Sequence, residues 1–340
     1  MKLEDVVRKK QEKEEPKGIA REVLRALKRG SVSVSELSSR LDHGVSQIRN
    51  AIDELEASGY HLAVKAEAVE VVRDLPSGGE LRIDPKRYRG NEYEFGVVSD
   101  THLASKYCRL DVLNALYDIF AAEGIKDIFH AGNIVDGEGR FNRFDLLAVG
   151  TEGQIDLAIR DYPKRKGITT NFIVGECHEG WWVQREGINI GKLIDARFRD
   201  AGRTDVNYLG YLEADIQLPA PKGTTWIRLM HPGGGSAYAL SYAPQKIVES
   251  FQGGEKPHAL IIGHFHKMEF CMPREVYCVS AGCTQDQTPF MRKLRLEAHL
   301  GGWTCKITQA RDGHISSMAV NWHRFYDRKF YHGKEKFPRW

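Results

Sequence analysis

The 340-residue chain contains no run close to the ~18 consecutive apolar residues that a membrane-spanning helix requires, so no membrane partner is expected. Its six cysteines, Cys108, Cys177, Cys271, Cys278, Cys283 and Cys305, include no CxxC pair, and neither a zinc ribbon nor a disulfide scaffold is indicated. The opening stretch MKLEDVVRKKQEKEEPKG is charged throughout and lacks the apolar stretch of a signal peptide; the cytoplasm is the expected compartment. Charge of one sign is also scarce, since a net +3 is too weak to argue for nucleic acid by itself. There is no internal repeat and no low-complexity tract. What is there is an ordinary globular composition, 41% hydrophobic and 28% charged, in a chain long enough for one large domain and a small one.

Residues 1–18 have almost no apolar face and read as a mobile charged leader. From Ile19 the pattern changes: Ile19, Val23, Leu24 and Leu27 recur at helical spacing. Ser33 with Glu36 three residues on forms a capping box for a second helix, whose apolar face is Val34, Leu37 and Leu41. A third helix carries a stripe of Val45, Ile48, Ile52 and Leu55, with Gly59 as its stop. The β-rich stretches YHLAVKA and EAVEVVRDL follow. Three short helices and a hairpin over 19–76 resemble a winged helix-turn-helix, in which the third helix is the reader. Its outward residues near the N-terminus are Ser46, Gln47, Arg49 and Asn50, types that make bidentate contacts with base edges. Asp53, Glu54 and Glu56 make the rest of that helix acidic, so a protein-contact or dimer module stands as the alternative to DNA binding. Residues 77–91, rich in Pro, Gly and charge, read as a linker. From 92 to 322 strands and helices alternate, which argues for a layered α/β domain; the strands after Asn207 crowd together and imply a second sheet. The tail, 323–340, interleaves Arg and Lys with aromatics.

Within 92–322, each of several apolar strands ends in metal-ligand residue types. The endings are SDTH (Asp100, His102), AGNIVDG (Asn133, Asp136), GECHEGWW (Cys177, His178, Glu179), MHPGGG (His231) and GHFH (His264, His266). Loops at the carboxyl ends of strands are where α/β folds place their sites. Carboxylates mixed with imidazoles suit Mn²⁺, Fe or Zn²⁺ better than an all-oxygen Mg²⁺ or Ca²⁺ site.

The order D-x-H, G-[DN], G-x-x-H-[ED], H, G-H-x-H resembles the calcineurin-like metallophosphoesterases over roughly Glu92 to Gly282. The resemblance implies a two-sheet α/β sandwich of metallophosphoesterase type, preceded here by the small winged-helix domain. It implies that Asp100, His102 and His266 hold a first metal, that His231 and His264 hold a second, and that position 133 bridges them. His178 becomes the catalytic histidine, with Glu179 orienting it. The metals, Mn²⁺ first among the choices, would polarise the phosphate and activate water. Two positions depart from the family pattern. Asn133 stands where a bridging Asp is usual, and Cys177 stands where Asn usually precedes the catalytic histidine. An amide bridges two cations poorly, and a soft thiolate changes metal preference. The first site is therefore expected to be near-complete and the second weak, unless Glu176, Cys177 or Asp136 substitutes.

Trp181 and Trp182 either stack a base or pack beneath the site, and Gly233, Gly234 and Gly235 either let backbone approach a phosphate or form a tight turn. The expected activity is metal-dependent phosphoester hydrolysis on nucleic acid, DNA first, as a nuclease or end-processing phosphodiesterase. The alternatives are a phosphatase or cyclic-nucleotide phosphodiesterase with a regulatory winged helix, or a non-catalytic DNA- or protein-binding member. A homo-oligomer is left open.

Overall fold

The computed structural model describes residues 16–27, 32–57, 62–65, 68–71, 78–139, 141–235 and 237–325. Most of the charged leader, Gly59 and the tail from residue 326 on lie outside the described residues. The chain divides into two compact units after Leu75.

The first unit runs α1 (Gly18–Leu27), β1 (Val32–Ser33), α2 (Val34–Leu41), α3 (Val45–Ala57), β2 (Leu62–Lys65) and β3 (Ala68–Val71). Its strands form an antiparallel sheet in the order β1-β3-β2. The helical stripes read from the sequence supply its core: Val23, Leu24, Leu27, Leu37, Ile48, Ile52 and Leu55 are buried together. Burying side chains of this size is worth ~1.5–3 kcal/mol each. Ser33 caps α2, its hydroxyl accepting from the Glu36 amide at 3.1 Å. The capping box is only half formed, because the Glu36 carboxylate turns forward to Arg40, one helical turn on. Val45 departs from its expected inward position: it sits in the first turn of α3 and is 45% exposed.

The second unit contains two six-stranded mixed sheets. One is ordered β15 (Ile315–Arg324), β14 (Gly301–Gln309), β5 (Glu92–Val98), β6 (Asp127–His130), β7 (Thr169–Val174), β8 (Val206–Tyr211). The other is ordered β12 (Met268–Cys271), β13 (Tyr277–Ala281), β11 (Ala259–Ile262), β10 (Gly223–Met230), β9 (Glu213–Ala220), β4 (Gly79–Arg82). The neighbours from β5 to β8 are parallel, as are β10, β11 and β13. The inner faces of the sheets share one core, where Phe95, Val97 and Phe129 meet Ile216, Ile227, Ile261 and Val279. In β9 the alternation is clean, with Ala214, Ile216 and Leu218 inward and Glu213, Asp215 and Gln217 outward. The outer face of the first sheet is covered by α4 (Leu110–Glu123), α5 (Gly150–Asp161), α6 (Gly180–Glu186) and α7 (Ile190–Asp200), and α8 (Tyr242–Ser250) packs on the second.

The two-sheet α/β architecture is as expected. The stretch 77–91 is not a plain linker, however: residues 79–82 form β4, which pairs in parallel with β9. The body also runs past residue 322, since β15 ends at Arg324.

Candidate metal centre

The loops that leave β5, β6, β7, β10 and β11 carry all five motif blocks. Those after β5 and β6 are zipped by backbone bonds, the Asp100 and His102 amides donating to the carbonyls of Gly132 and Asn133 at 2.9 and 3.0 Å. The backbone here is unusual. Asp100, His102, Asn133, His178, His264 and His266 all have φ between 46° and 77°. Such left-handed conformations are uncommon outside glycine and cost of order 1–3 kcal/mol each. They cluster where side chains from separate loops must aim at one point.

That point is defined by three buried donor atoms. Asp100 Oδ1 lies 3.3 Å from His266 Nε2 and 3.6 Å from His102 Nε2, and the two imidazole nitrogens are 3.2 Å apart. A tetrahedral cation with bonds of ~2.1 Å separates its ligands by roughly 3.4 Å, so the spacing fits one first-row divalent ion. The other Asp100 oxygen is anchored by the His264 amide at 2.9 Å and the Ser99 hydroxyl at 2.5 Å. On the far side of the ring, His102 Nδ1 donates to Asp136 Oδ1 at 2.8 Å. This fixes the tautomer that leaves Nε2 aimed at Asp100 and His266, the arrangement by which a carboxylate orients a metal-bound histidine. Burial pulls the His102 pKa down, but the hydrogen bonds to Asp100 and Asp136 outweigh it and carry it up to about 9, so without metal the ring also holds a proton on Nε2 that an incoming cation displaces. For Asp100 burial pushes the carboxyl up, and the surrounding histidines more than reverse this, holding it well below the usual range.

A second set lies beside the first and is looser. His231 donates through Nδ1 to the Ala131 carbonyl at 2.5 Å, which leaves Nε2 buried with no partner. Asn133 donates through Nδ2 to Asp100 Oδ1 at 3.1 Å, and its Oδ1 is likewise buried and unpartnered. Both orphaned atoms lie within 2.7 Å of the point where a side chain on Gly175 would begin, so only glycine keeps that space open. Burial lowers the His231 pKa to about 3, so the ring is neutral and its lone pair is available at neutral pH. His264 sits edge-on to His231 at 5.3 Å but spends Nε2 on the Gly234 carbonyl at 2.8 Å. Cys177 is half-buried, and burial and the neighbouring Glu176 carboxylate push its thiol pKa up, away from the thiolate a ligand requires. Among the described residues, His231, His264 and Cys177 form no close ligand cluster of the kind Asp100, His102 and His266 form.

Glu179 is not the residue that orients His178. Its buried carboxylate accepts from the backbone amides of Asn133 at 2.9 Å, Val135 at 3.1 Å and Gly175 at 3.2 Å, tying the β6 and β7 loops together. Burial raises its pKa to about 7, with the three amides opposing. His178 instead donates through Nδ1 to the Asp136 carbonyl at 3.0 Å, with the Asp136 carboxylate 3.4 Å away. Asp136, considered from the sequence only as a substitute bridging ligand, thus serves both His102 and His178. Asn142 and Gln285 in turn donate to its carboxylate at 2.9 and 3.4 Å. Neither was singled out from the sequence, for each lies in a loop with no motif around it.

A cleft of about 540 Å³ opens over this centre, with Asn133, Asp136, His178, His264 and His266 in its wall. Trp181 lines it, whereas Trp182 is buried in the core. Gly234 and Gly235 line it too, and Gly234 has φ +105° with open space around it. In the first unit, Ser46, Gln47, Arg49 and Asn50 are exposed on α3, and Gln47 Oε1 accepts from the Gly44 amide at 2.9 Å.

No family model and no curated protein matches the chain. Among solved structures it is similar to a novel archaeal phosphodiesterase, at 12% identity over 68% of this chain and 99% of the other, TM-score 0.36. Yfce, a phosphoesterase from E. coli, is 11% identical over 66% and 98%, TM-score 0.35. Wild type Vps29 complexed with Zn²⁺ from Entamoeba histolytica is 14% identical over 68% and 98%, TM-score 0.31.

Proposed function

We propose that this chain is a metal-dependent phosphoesterase of the metallophosphoesterase type, centred on Asp100, His102 and His266. The observation that carries the reading is the trio of buried donors 3.2–3.6 Å apart, with His102 locked by Asp136 so that its inner nitrogen is a ligand. The candidates are Mn²⁺, Fe and Zn²⁺, of which Mn²⁺ is the ion used in the tests. A bound divalent cation supplies Lewis acidity toward a phosphoryl oxygen and toward an attacking water. The chain's residues do the rest. Asp100, His102 and His266 would hold the ion. His178, with its Nδ1 proton donated to the Asp136 carbonyl, presents the Nε2 lone pair, which can take up a proton and return it at the leaving oxygen. His231 Nε2 and Asn133 Oδ1 are the donors toward a weaker second ion. The test is hydrolysis of an aryl phosphate by the purified chain with added Mn²⁺. Turnover that a chelator stops is the expected result, and turnover indifferent to the chelator overturns the reading.

For the first unit the reading is a winged helix that contacts duplex DNA. It is supported by the order helix, strand, helix, helix, strand, strand and by Arg49 and Asn50, exposed on α3. Gln47 is the weaker reader, because its side chain already closes on Gly44. Replacing Arg49 and Asn50 by Ala should weaken duplex binding in a gel shift, and unchanged binding would assign the unit another role. A nuclease activity for the cleft has less behind it, because no lysine or arginine is among the described residues that line it. The cleft favours a phosphatase or small-molecule phosphodiesterase, with the DNA-contacting unit as a regulatory module.

A further inference from the structure

We infer that the cleft beside the metal centre is a binding site for a planar apolar leaving group, so that the substrate is a small aryl or arylalkyl phosphoester; this rests on the phosphoesterase reading above. Beside the candidate ligands the cleft is lined by Phe141, Trp181, Phe265, Phe290, Leu294 and Leu296. Two of these side chains touch site histidines directly, and a third is reached through one of them. Phe141 stands edge-on to His178 at 5.1 Å and lies 4.9 Å from Phe290 at 31°, and Phe265 stands edge-on to His264 at 5.0 Å. An ester held with its phosphorus at the metal donors and its leaving oxygen at His178 therefore places its organic group against Phe141 and Phe290.

Part of this lining is solvent-exposed among the described residues. Phe290 is 41% exposed and Leu294 50% exposed, although both border a cleft whose other side is ionic. Apolar surface gathered beside convergent polar groups is the usual make-up of a small-molecule site, in which the apolar part supplies affinity and the polar part orientation. Charge argues in the same direction. The described residues lining the cleft include the carboxylates Asp136 and Asp145 and no lysine or arginine. A polynucleotide would bring further phosphates to described lining residues that offer carboxylates but neither lysine nor arginine. Arg292, Lys293 and Arg295 flank Phe290 and Leu294 in sequence, but they are exposed and do not line the cleft.

The experiment compares benzyl phosphate, ethyl phosphate and glycerol 3-phosphate with the full chain at saturating Mn²⁺. All three leave as alkoxides of similar basicity, so their ratio reports the organic group and not intrinsic reactivity. A short 5′-phosphorylated oligonucleotide is a fourth arm. The expected kcat/KM favours benzyl over ethyl phosphate by at least about tenfold, the low end of what a single methylene is worth in a hydrophobic pocket. Phe290→Ala and Leu294→Ala should each bring that ratio several-fold closer to one; both positions are half-exposed, so neither substitution hollows the core. In parallel, calorimetry compares benzylphosphonate with methylphosphonate, and the benzyl compound should bind at least about tenfold tighter. Equal kcat/KM for the three esters, or preference for the oligonucleotide, overturns the proposal and leaves the phosphoesterase reading standing. No hydrolysis of any of these esters or of their benzyl and ethyl diester counterparts, with benzylphosphonate still preferred, retains the apolar subsite and removes the phosphoesterase reading. Equal phosphonate affinities in that case overturn the subsite as well.

Discussion

Replacing Asp136 by Asn exchanges one carboxylate oxygen for an amino group at a position that is 1% exposed. The native oxygens have different partners: Oδ1 accepts from His102 Nδ1 at 2.8 Å, and Oδ2 accepts from Asn142 Nδ2 at 2.9 Å. Burial pushes this carboxyl up, yet its hydrogen bonds to His102 and His178 hold it below the ordinary carboxylate range. The amide can serve only one partner as before. With its oxygen toward His102, its amino group faces the amino group of Asn142. With its amino group toward His102, the histidine must accept at Nδ1 and carry its proton on Nε2, the nitrogen needed for the metal. Losing a carboxylate that orients a ligand costs metal affinity about 10–100-fold, or roughly 1.4–2.8 kcal/mol. The mismatched buried amide removes about 1–3 kcal/mol from the metal-free protein as well. Calorimetric titration of Mn²⁺ into the two proteins measures the first quantity, and thermal melting without metal measures the second. An unchanged Mn²⁺ affinity in Asp136→Asn would show that His102 is not oriented for metal by this contact.

Asn133→Asp sets a second carboxylate about where Nδ2 now donates to Asp100 at 3.1 Å, so the metal-free protein should melt lower, while a second Mn²⁺ equivalent tightens and the rate rises by up to about 10²-fold. Two full equivalents in the unaltered protein, with no gain on substitution, would mean that other residues complete the second site. His178→Ala should cut turnover by about 10²–10⁴-fold with Mn²⁺ content unchanged, since its Nδ1 is bonded to a backbone carbonyl; loss of metal would make it a ligand. Burial lowers the His130 pKa to about 3, so between that value and the ordinary 6.5 the folded protein binds fewer protons than the unfolded chain. Its contribution to stability is therefore intact above pH ~6.5 and falls as the solution is acidified, by about 2 kcal/mol at pH 5. His130→Gln should flatten the pH 7 to pH 5 stability difference by about that amount in urea unfolding, and an unaltered slope would assign acid sensitivity elsewhere.

The strand-end blocks were legible because each pairs an apolar, β-branched run with ligand side chains, a pattern that survives without knowledge of tertiary contacts. The helices of the first unit were legible for the same reason, since Leu37, Ile48 and Leu55 keep the helical period and all are buried. What failed was assignment by adjacency. Glu179 follows His178 directly, yet the positive φ of His178 and the start of α6 turn its carboxylate to the amides of Asn133, Val135 and Gly175. The residue that does the orienting, Asp136, lies 42 positions from His178. Gln285 and Asn142, which hold Asp136, come from loops with no periodicity to betray them. Strand β4 was hidden in its own way: four residues with alternate positions exposed, inside a Pro- and Gly-rich stretch, become a strand only because β9 offers a free edge. Trp181 and Trp182 were indistinguishable as a dipeptide, and only the helical turn of α6 sends one to the cleft and the other to the core.

The measurement that bears most directly on the metal centre is a Mn²⁺ titration of the unaltered chain and of Asp100→Asn, following bound metal and aryl phosphate hydrolysis in the same samples. If Asp100, His102 and His266 form the catalytic centre, activity rises with the first tightly bound equivalent, and Asp100→Asn loses both that equivalent and the hydrolysis. Hydrolysis that persists in Asp100→Asn, or a first equivalent that binds the substituted protein as tightly as the original, contradicts that assignment.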